Sequence, residues 1–410
     1  LLGYWIDPFQ PNGKSKDILN QISEKITTPT HHPNLLESTT HLSGRWVLIY
    51  LSPKNSIIFT DPCGLRQLYY YQNEAGIWCG SQPEIIKAAV GLKPNTDKTF
   101  LDFTKCLDYQ RKEFALVGDK TRYQDCYHLL PNHFFDLYSA LSIRFFPKEN
   151  LSPIPVDQAL EITSSILHGS MLAIAQRHPV MLAVTAGWDT RVLLAATKGI
   201  TDYFKYYIDR KGELPFNHPD VQVPLRLCCQ LGINFEVRNS AEEPPHWFKA
   251  ILSQSVSGAR ELPKIRMIYS ALANSSSYIN VNGNGSEICR NSYDYFGFIS
   301  SESITIAQLT GLIGYYKNKF VENELRSWKN ELEQNGLFGY HILDLLYWEQ
   351  GMGNWGAQFA AEQDIAGDDF SPFNNRLLYK TLLSLPREYR SGPDFPIYTQ
   401  LIKSCLLYTS

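Results

Sequence analysis

The hydrophobic rhythm of this 410-residue chain changes at Leu151-Ser152-Pro153-Ile154-Pro155, and that change limits the folds open to it. Before it, short apolar and aromatic runs alternate with turn residues. The run 45–51 is closed by Ser52-Pro53-Lys54-Asn55, and the run 56–60 by Asp61-Pro62-Cys63-Gly64. Runs 67–72 and 76–80 follow, parted by Asn73-Glu74-Ala75, and a further pair is expected at 134–138 and 142–146. β-Branched and aromatic residues punctuated by Pro, Gly and Asn are the pattern of antiparallel strands and hairpins. Residues 1–150 read as a β-rich unit, and 151–155 as a linker.

Beyond the prolines the period lengthens. Leu160, Ile162, Ile166, Leu167, Met171 and Ile174 recur at helical spacing across 156–177. An apolar strand at 180–184 precedes a helix at 189–197. Strand 203–208, helix 220–231 and strand 234–238 repeat the alternation, and a last strand is expected at 278–281. Strands and helices alternating at this interval predict parallel βαβ units whose sheet is buried on both faces. The fold class is therefore α/β, with an antiparallel α+β unit before the linker and a doubly wound parallel sheet after it. The end of the second unit, 156–404, reads as largely helical.

Composition removes several function classes. Lys+Arg 38 against Asp+Glu 41 gives a net charge of −3, without the basic footprint of a nucleic-acid binder. No apolar run approaches the roughly 18 residues of a membrane span. The 8 cysteines form no Cys-x-x-Cys pair and no zinc spacing, so they read as reduced thiols of a cytoplasmic protein. The chain opens on Leu1 and closes on Cys405-Leu406-Leu407-Tyr408-Thr409-Ser410; both ends read as cut, and 405–410 as a tail outside the fold. His31-His32 reads as a solvated loop pair.

In an open parallel sheet, ligands bind beyond the carboxyl ends of the strands. The loop after the first expected strand is Thr185-Ala186-Gly187-Trp188-Asp189-Thr190-Arg191. Hydroxyls, small residues and an acid at a helix start make a cradle for phosphate or pyrophosphate. The same residues also serve a capped strand-to-helix turn. The loop after 278–281 is Asn282-Gly283-Asn284-Gly285-Ser286-Glu287, where two glycines allow close backbone approach and a carboxylate can hold Mg²⁺. Gly/Asn turns without ligands look alike. His218-Pro219-Asp220 opens a helix, with Asp220 either a cap or a nucleotide contact.

Together these segments resemble the asparagine synthetase family. The 185–191 loop is similar to its pyrophosphate loop, usually Ser-Gly-Gly-x-Asp-Ser, and 282–287 to its second loop, usually Ser-Gly-Glu-Gly-Ser-Asp. Ser371-Pro372-Phe373-Asn374-Asn375-Arg376 resembles its late Pro-Phe-Leu-Asp segment. Ser43-Gly44-Arg45-Trp46, Thr60-Asp61-Pro62-Cys63-Gly64, Ser81 and Leu129-Leu130-Pro131-Asn132-His133 resemble the glutamine amidotransferase domain fused to such synthetases.

The resemblance implies an Ntn amidotransferase-like domain over 1–150, partial or degenerate, and a PP-loop (HUP-like) ATP-pyrophosphatase domain over 156–404. It implies ATP and Mg²⁺ as cofactors and amide formation through carboxylate adenylation with release of pyrophosphate. Thr185, Ala186, Gly187, Asp189, Thr190, Arg191, Gly283, Gly285 and Ser286 would bind ATP and pyrophosphate. Asp189 and Glu287 would hold the metal, and backbone at Leu182, Val184, Tyr207 and Ile208 would flank the adenine. The acid would be a small-molecule or peptide carboxylate, and the amine ammonia, glutamine or the substrate's own. An intramolecular lactam- or macrolactam-closing ligase, and a nucleotide-binding scaffold without turnover, are the alternatives.

The chain departs from the family pattern at several points. Ala186 replaces a glycine, which is tolerable where φ stays negative. Glu287 replaces Asp and moves the carboxylate by about 1.5 Å. Residue 1 is Leu where amidotransferase relatives carry a nucleophilic Cys. Lys403 is the candidate for the family's late catalytic Lys, though out of register with it.

Overall fold

The computed structural model describes residues 1–26, 32–274, 277–293, 297 and 299–406. Before Leu151 the chain forms β1 (Leu2–Ile6), β2 (Ser43–Tyr50), β3 (Ile57–Thr60), β4 (Tyr69–Asn73), β5 (Gly76–Gly80), β6 (Cys126–His128), β7 (His133–Asp136) and β8 (Leu141–Arg144). They pair antiparallel in two sheets, ordered β1-β2-β3-β7-β8 and β5-β4-β6. Side chains of successive strand residues point to opposite faces, and this sorts the apolar residues into layers. Val47, Ile58 and Phe135 meet Tyr70 between the sheets. Trp46, Leu48, Ile57, Phe59 and Phe134 turn the other way, onto Ile18, Ile22, Leu35 and Leu36 of helices Ser15–Lys25 and His32–Ser38. Tyr69 and Cys126, on the outer face of the second sheet, pack on Ile86 of helix Pro83–Val90. The layers run helix, sheet, sheet, helix.

After the irregular stretch 151–155, the helix Val156–Arg177 has the bounds its periodicity predicts. Asp157 in its first turn and Arg177 in its last complement the helix dipole. Five parallel strands follow: β9 (Val180–Ala183), β10 (Phe204–Asp209), β11 (Phe235–Arg238), β12 (Ile279–Val281) and β13 (Asp369–Phe370). Their spatial order is β11-β10-β9-β12-β13. The chain builds outward in one direction from β9, then reverses and places β12 on the other side of it. Such a reversal opens a crevice at the carboxyl ends of the two central strands.

One face of this sheet is apolar. Val180, Leu182, Phe204, Tyr206, Ile279 and Val281 belong to the main core. The other face is polar and covered only in part: the expectation of burial on both sides holds for Met181, Tyr207 and Asn280, which are buried, and fails for Lys205 and Glu236, which are exposed. Met181, Lys205, Tyr207, Glu236, Arg238 and Asn280 line an open cleft of about 520 Å³. Helices His246–Ser255 and Lys264–Asn274 do not fill it, because their apolar residues pack on one another and on Ala361 and Ala366.

The main core runs across the linker: Ile6, Cys63, Phe103 and Phe146 share it with residues from Ala159 to Leu401. The segment 371–376 is wedged into the junction. Asn374 Nδ2 donates to Gly44 O (2.7 Å) and Asp61 Oδ1 (2.8 Å), while its Oδ1 accepts from Cys63 N (2.9 Å). Asn375 Nδ2 donates to His41 O at 2.7 Å, and its Oδ1 caps the helix Arg376–Leu383 through Leu378 N. Ser371 Oγ donates to Asn284 O at 2.6 Å, tying the same segment to the second candidate loop.

Asp369 of β13 gives this region a pH signature. It is 3 % exposed; Asn280 Nδ2 donates to its Oδ1 at 2.7 Å, and its Oδ2 has no partner. Burial pushes its carboxyl up to about 7. Between the ordinary carboxylate range and pH 7 the native state keeps a proton that the unfolded chain releases, so stability falls as pH rises through that window and levels off above it. Asp369→Asn is expected to gain on the wild type by about 4 kcal/mol between pH 4 and pH 8. Urea unfolding at the two pH values measures this; equal differences at both would contradict it.

Among the described residues no helix is long and apolar enough to cross a membrane. Cys63, Cys79, Cys106, Cys126, Cys228, Cys229 and Cys289 are free thiols. Of the expected tail, 405–406 ends the helix Pro396–Leu406 and 407–410 lies outside the described residues, as does His31.

Candidate functional site

The loop after β9 and the loop after β12 meet at the sheet reversal. Gly187 caps the helix Trp188–Ala196 with φ −62°, and Asp189 lies in its first turn. The loop is braced from within. Thr185 N donates to Thr190 Oγ1 (3.0 Å), Gly187 N to Thr185 Oγ1 (3.1 Å), and the two hydroxyls lie 3.1 Å apart. Ala186 N donates to Asp220 Oδ1 at 3.1 Å, so Asp220 supports this loop from the neighbouring helix Pro219–Gln230. Ala186 is outside the positive-φ region, so its methyl group is accommodated without backbone strain.

These bonds are what a capped turn needs. The contacts to the second loop go further. Ser286 Oγ donates to Asp189 Oδ1. Arg290 Nη2 lies 3.1 Å from Asp189 Oδ1 and 3.2 Å from Glu287 Oε1, bridging both candidate metal ligands. Gly283 comes so close that a Cβ there would sit 2.6 Å from Asp189 Cβ. Gly285 has φ +91°, and a Cβ on it would meet Tyr379 Oη at 2.4 Å. Tyr398 Oη donates to Ser286 O at 2.8 Å, and Tyr379 Oη lies 3.1 Å from Cys63 Sγ. The second loop is thus held by the last helix on one side and by the junction between the two halves on the other.

The electrostatics are those of crowded carboxylates sharing one cation. Burial and the adjacent Asp189 charge push Glu287 up, with Arg290 opposing them. Glu287 Oε2 is buried without a partner. Burial works against the charge of Arg290, yet Asp189 and Glu287 hold its pKa above the ordinary value. Burial and the Glu287 charge push the neighbouring Tyr347 phenol up.

Other expected residues lie differently. Arg191 stacks on Trp188, 4.2 Å from the ring centre, and its Nε donates to Gly187 O at 3.3 Å. Leu182 and Val184 are fully buried in the core, and Val184 N donates to Tyr207 O at 2.9 Å. That backbone pair is occupied within the sheet, and the Tyr207 side chain faces the cleft on the opposite face. Lys403 is exposed near the end of its helix; Tyr398, one and a half turns earlier, is the residue of that helix brought to the second loop. The site residues not named from sequence are Arg290, Tyr379 and Tyr398. Only Arg290 had a local signal, a cation one helical turn beyond Glu287.

Thr190→Val is expected to cost about 1–3 kcal/mol, because Thr185 N loses its acceptor inside the loop. Thermal or urea unfolding checks this, and a loss under 0.5 kcal/mol (about the size of a surface substitution) would show the brace to be unimportant.

No family model matches the chain, and no curated protein matches it. Among solved structures, a glutamine-dependent NAD+ synthetase from Acinetobacter baumannii, in complex with ADP, is 10% identical over 79% of this chain and 71% of that one. Its TM-score is 0.22.

Proposed function

We propose that this chain activates a carboxylate with ATP and passes it to an amine, in the manner of the asparagine synthetase family. The observation that carries the reading is the meeting of loops 185–191 and 282–287 at the sheet reversal, where Ser286 and Arg290 reach Asp189. Thr185, Gly187 and Thr190, with the backbone of Gly283, Gly285 and Ser286, receive the polyphosphate. To do so they exchange bonds now made within the loop for bonds to phosphate oxygens.

Asp189 and Glu287 are the residues that would hold Mg²⁺. Two observations fit them to a hard cation: Glu287 Oε2 is buried without a partner, and a positive charge already stands between the two carboxylates. Bound there, Mg²⁺ would neutralise charge on the leaving pyrophosphate. An oxygen of the substrate acid attacks the α-phosphorus and pyrophosphate departs. The amine then attacks the acyl carbon and AMP departs. The acid is a small molecule or a peptide terminus, and the nitrogen comes from ammonia, glutamine or the substrate itself.

ATP–pyrophosphate exchange over a panel of carboxylic acids tests this. Exchange should need both Mg²⁺ and one class of acid, and Asp189→Asn should lower it about 100-fold or more. Exchange undiminished in Asp189→Asn would remove Asp189 from the reaction. No exchange with any acid, in a protein that binds Mg-ATP, would favour nucleotide binding without turnover.

A further inference from the structure

Arg290 occupies the place between Asp189 and Glu287 that a divalent cation would take. Its guanidinium lies 3.1 Å from one carboxylate and 3.2 Å from the other. Its side chain is only 16 % exposed, and its guanidinium carbon lies 5.4 Å from the Phe395 ring centre and 5.9 Å from that of Tyr398. These rings belong to the segment that also holds Ser286 through Tyr398 Oη. The cation is therefore placed by aromatic neighbours as well as by its carboxylates.

We propose that Arg290 is an exchangeable counter-cation: it holds Asp189 and Glu287 in the free protein, excludes a lone divalent metal, and transfers to polyphosphate when nucleotide and metal enter together. The inference rests on reading this site as a nucleotide–metal site. Its physical basis is charge balance. With both carboxyls ionised, the single guanidinium leaves the free site with one negative charge, which a polyphosphate alone would meet as repulsion. Arg290 released from the carboxylates offers a planar fork of donors suited to phosphate oxygens. Its rings keep it beside the loop that receives them. Metal without nucleotide gains the carboxylates but strands the guanidinium in a largely buried aromatic setting without an anion, so it binds weakly.

Binding of Mn²⁺ in the absence of nucleotide, followed by the loss of free-ion electron paramagnetic resonance signal, reads this directly. Arg290→Met keeps an unbranched stem against Phe395 and Tyr398 while removing the charge. It should bind Mn²⁺ at least about tenfold more tightly than the wild type. Arg290→Lys keeps a point charge without the fork and should gain about threefold. A non-hydrolysable ATP analogue should tighten Mn²⁺ binding in the wild type and much less in Arg290→Met.

Equal nucleotide-free Mn²⁺ affinity in wild type and Arg290→Met overturns the inference. If circular dichroism shows Arg290→Met unfolded, equal affinity in wild type and Arg290→Lys overturns it instead. Failure here leaves the proposed function standing wherever the wild type binds Mg-ATP. Conversely, a gain in Mn²⁺ affinity in a protein that binds no nucleotide supports the competition by Arg290 and removes the functional reading.

Discussion

Arg144→Ala is expected to destabilise the chain by about 3–5 kcal/mol. Arg144, on β8, makes a two-pronged ion pair with Glu349, with Nη1 at 2.6 Å and Nη2 at 2.8 Å from the two carboxyl oxygens. The partners are 1 % and 0 % exposed. Trp328 Nε1 (2.7 Å) and Asn132 Nδ2 (2.9 Å) complete the shell of Glu349. Truncating Arg144 leaves a buried carboxylate with two neutral donors. Glu349 lies in the π-helical stretch Tyr347–Gly356, whose Gln350 and Asn354 also bond to Gly118 in the first half. The loss should therefore loosen the junction as a unit. The double variant Arg144→Met/Glu349→Leu removes both buried charges but leaves Trp328 Nε1 and Asn132 Nδ2 without their acceptor and Glu331 without Arg144, so it should recover part of the loss. Urea unfolding of the three proteins separates the outcomes. A double variant no better than Arg144→Ala would mean that the pair contributes beyond charge compensation.

The second large effect falls on binding. Gly283→Ala puts a methyl carbon where Asp189 Cβ would lie 2.6 Å away, well inside contact distance. The clash joins the two loops close to their backbones, so a side-chain rotation does not relieve it. Loop 282–287 must back away from helix Trp188–Ala196, and the Ser286–Asp189 bond goes with it. Mg-ATP affinity should fall about 100-fold, while stability falls only about 1–3 kcal/mol. Calorimetric titration beside a thermal melt distinguishes a misaligned site from general unfolding. Unchanged affinity would mean that the approach of the loops is irrelevant to the ligand.

Much of this fold was legible because local pattern and burial coincide. Helix Val156–Arg177 has its predicted bounds, and β5 falls on the predicted run. The strands missed were β1, β6 and β13. β6 and β13 have three residues and two, too few for a period to show, and β1 gains its identity only by pairing with β2. The polar second face of the parallel sheet was visible in Phe204-Lys205-Tyr206-Tyr207-Ile208-Asp209, whose odd positions carry the polar groups. The apolar run at 180–184 masked it by suggesting burial on both sides. In the candidate site, the 185–191 and 282–287 loops could be read because each is a contiguous motif. Tyr398 and Tyr379 could not, since about a hundred residues separate them from Ser286 and Gly285 and only packing joins them. The long-range signal that did exist was Ser371 to Arg376. That segment binds Asn284 at one end and Gly44 and Asp61 near the other.

Titration calorimetry of the wild type and Asp189→Ala with Mg-ATP tests the central claim, that the two loops at the sheet reversal form one nucleotide site. Asp189 accepts from Ser286 and pairs with Arg290, so its removal disconnects the loops and takes away one of the two proposed metal ligands together. The wild type should bind Mg-ATP with a dissociation constant below about 1 mM, and Asp189→Ala should lose at least tenfold while remaining folded. No heat from the wild type at millimolar Mg-ATP, or equal affinity in the two proteins, would contradict the account.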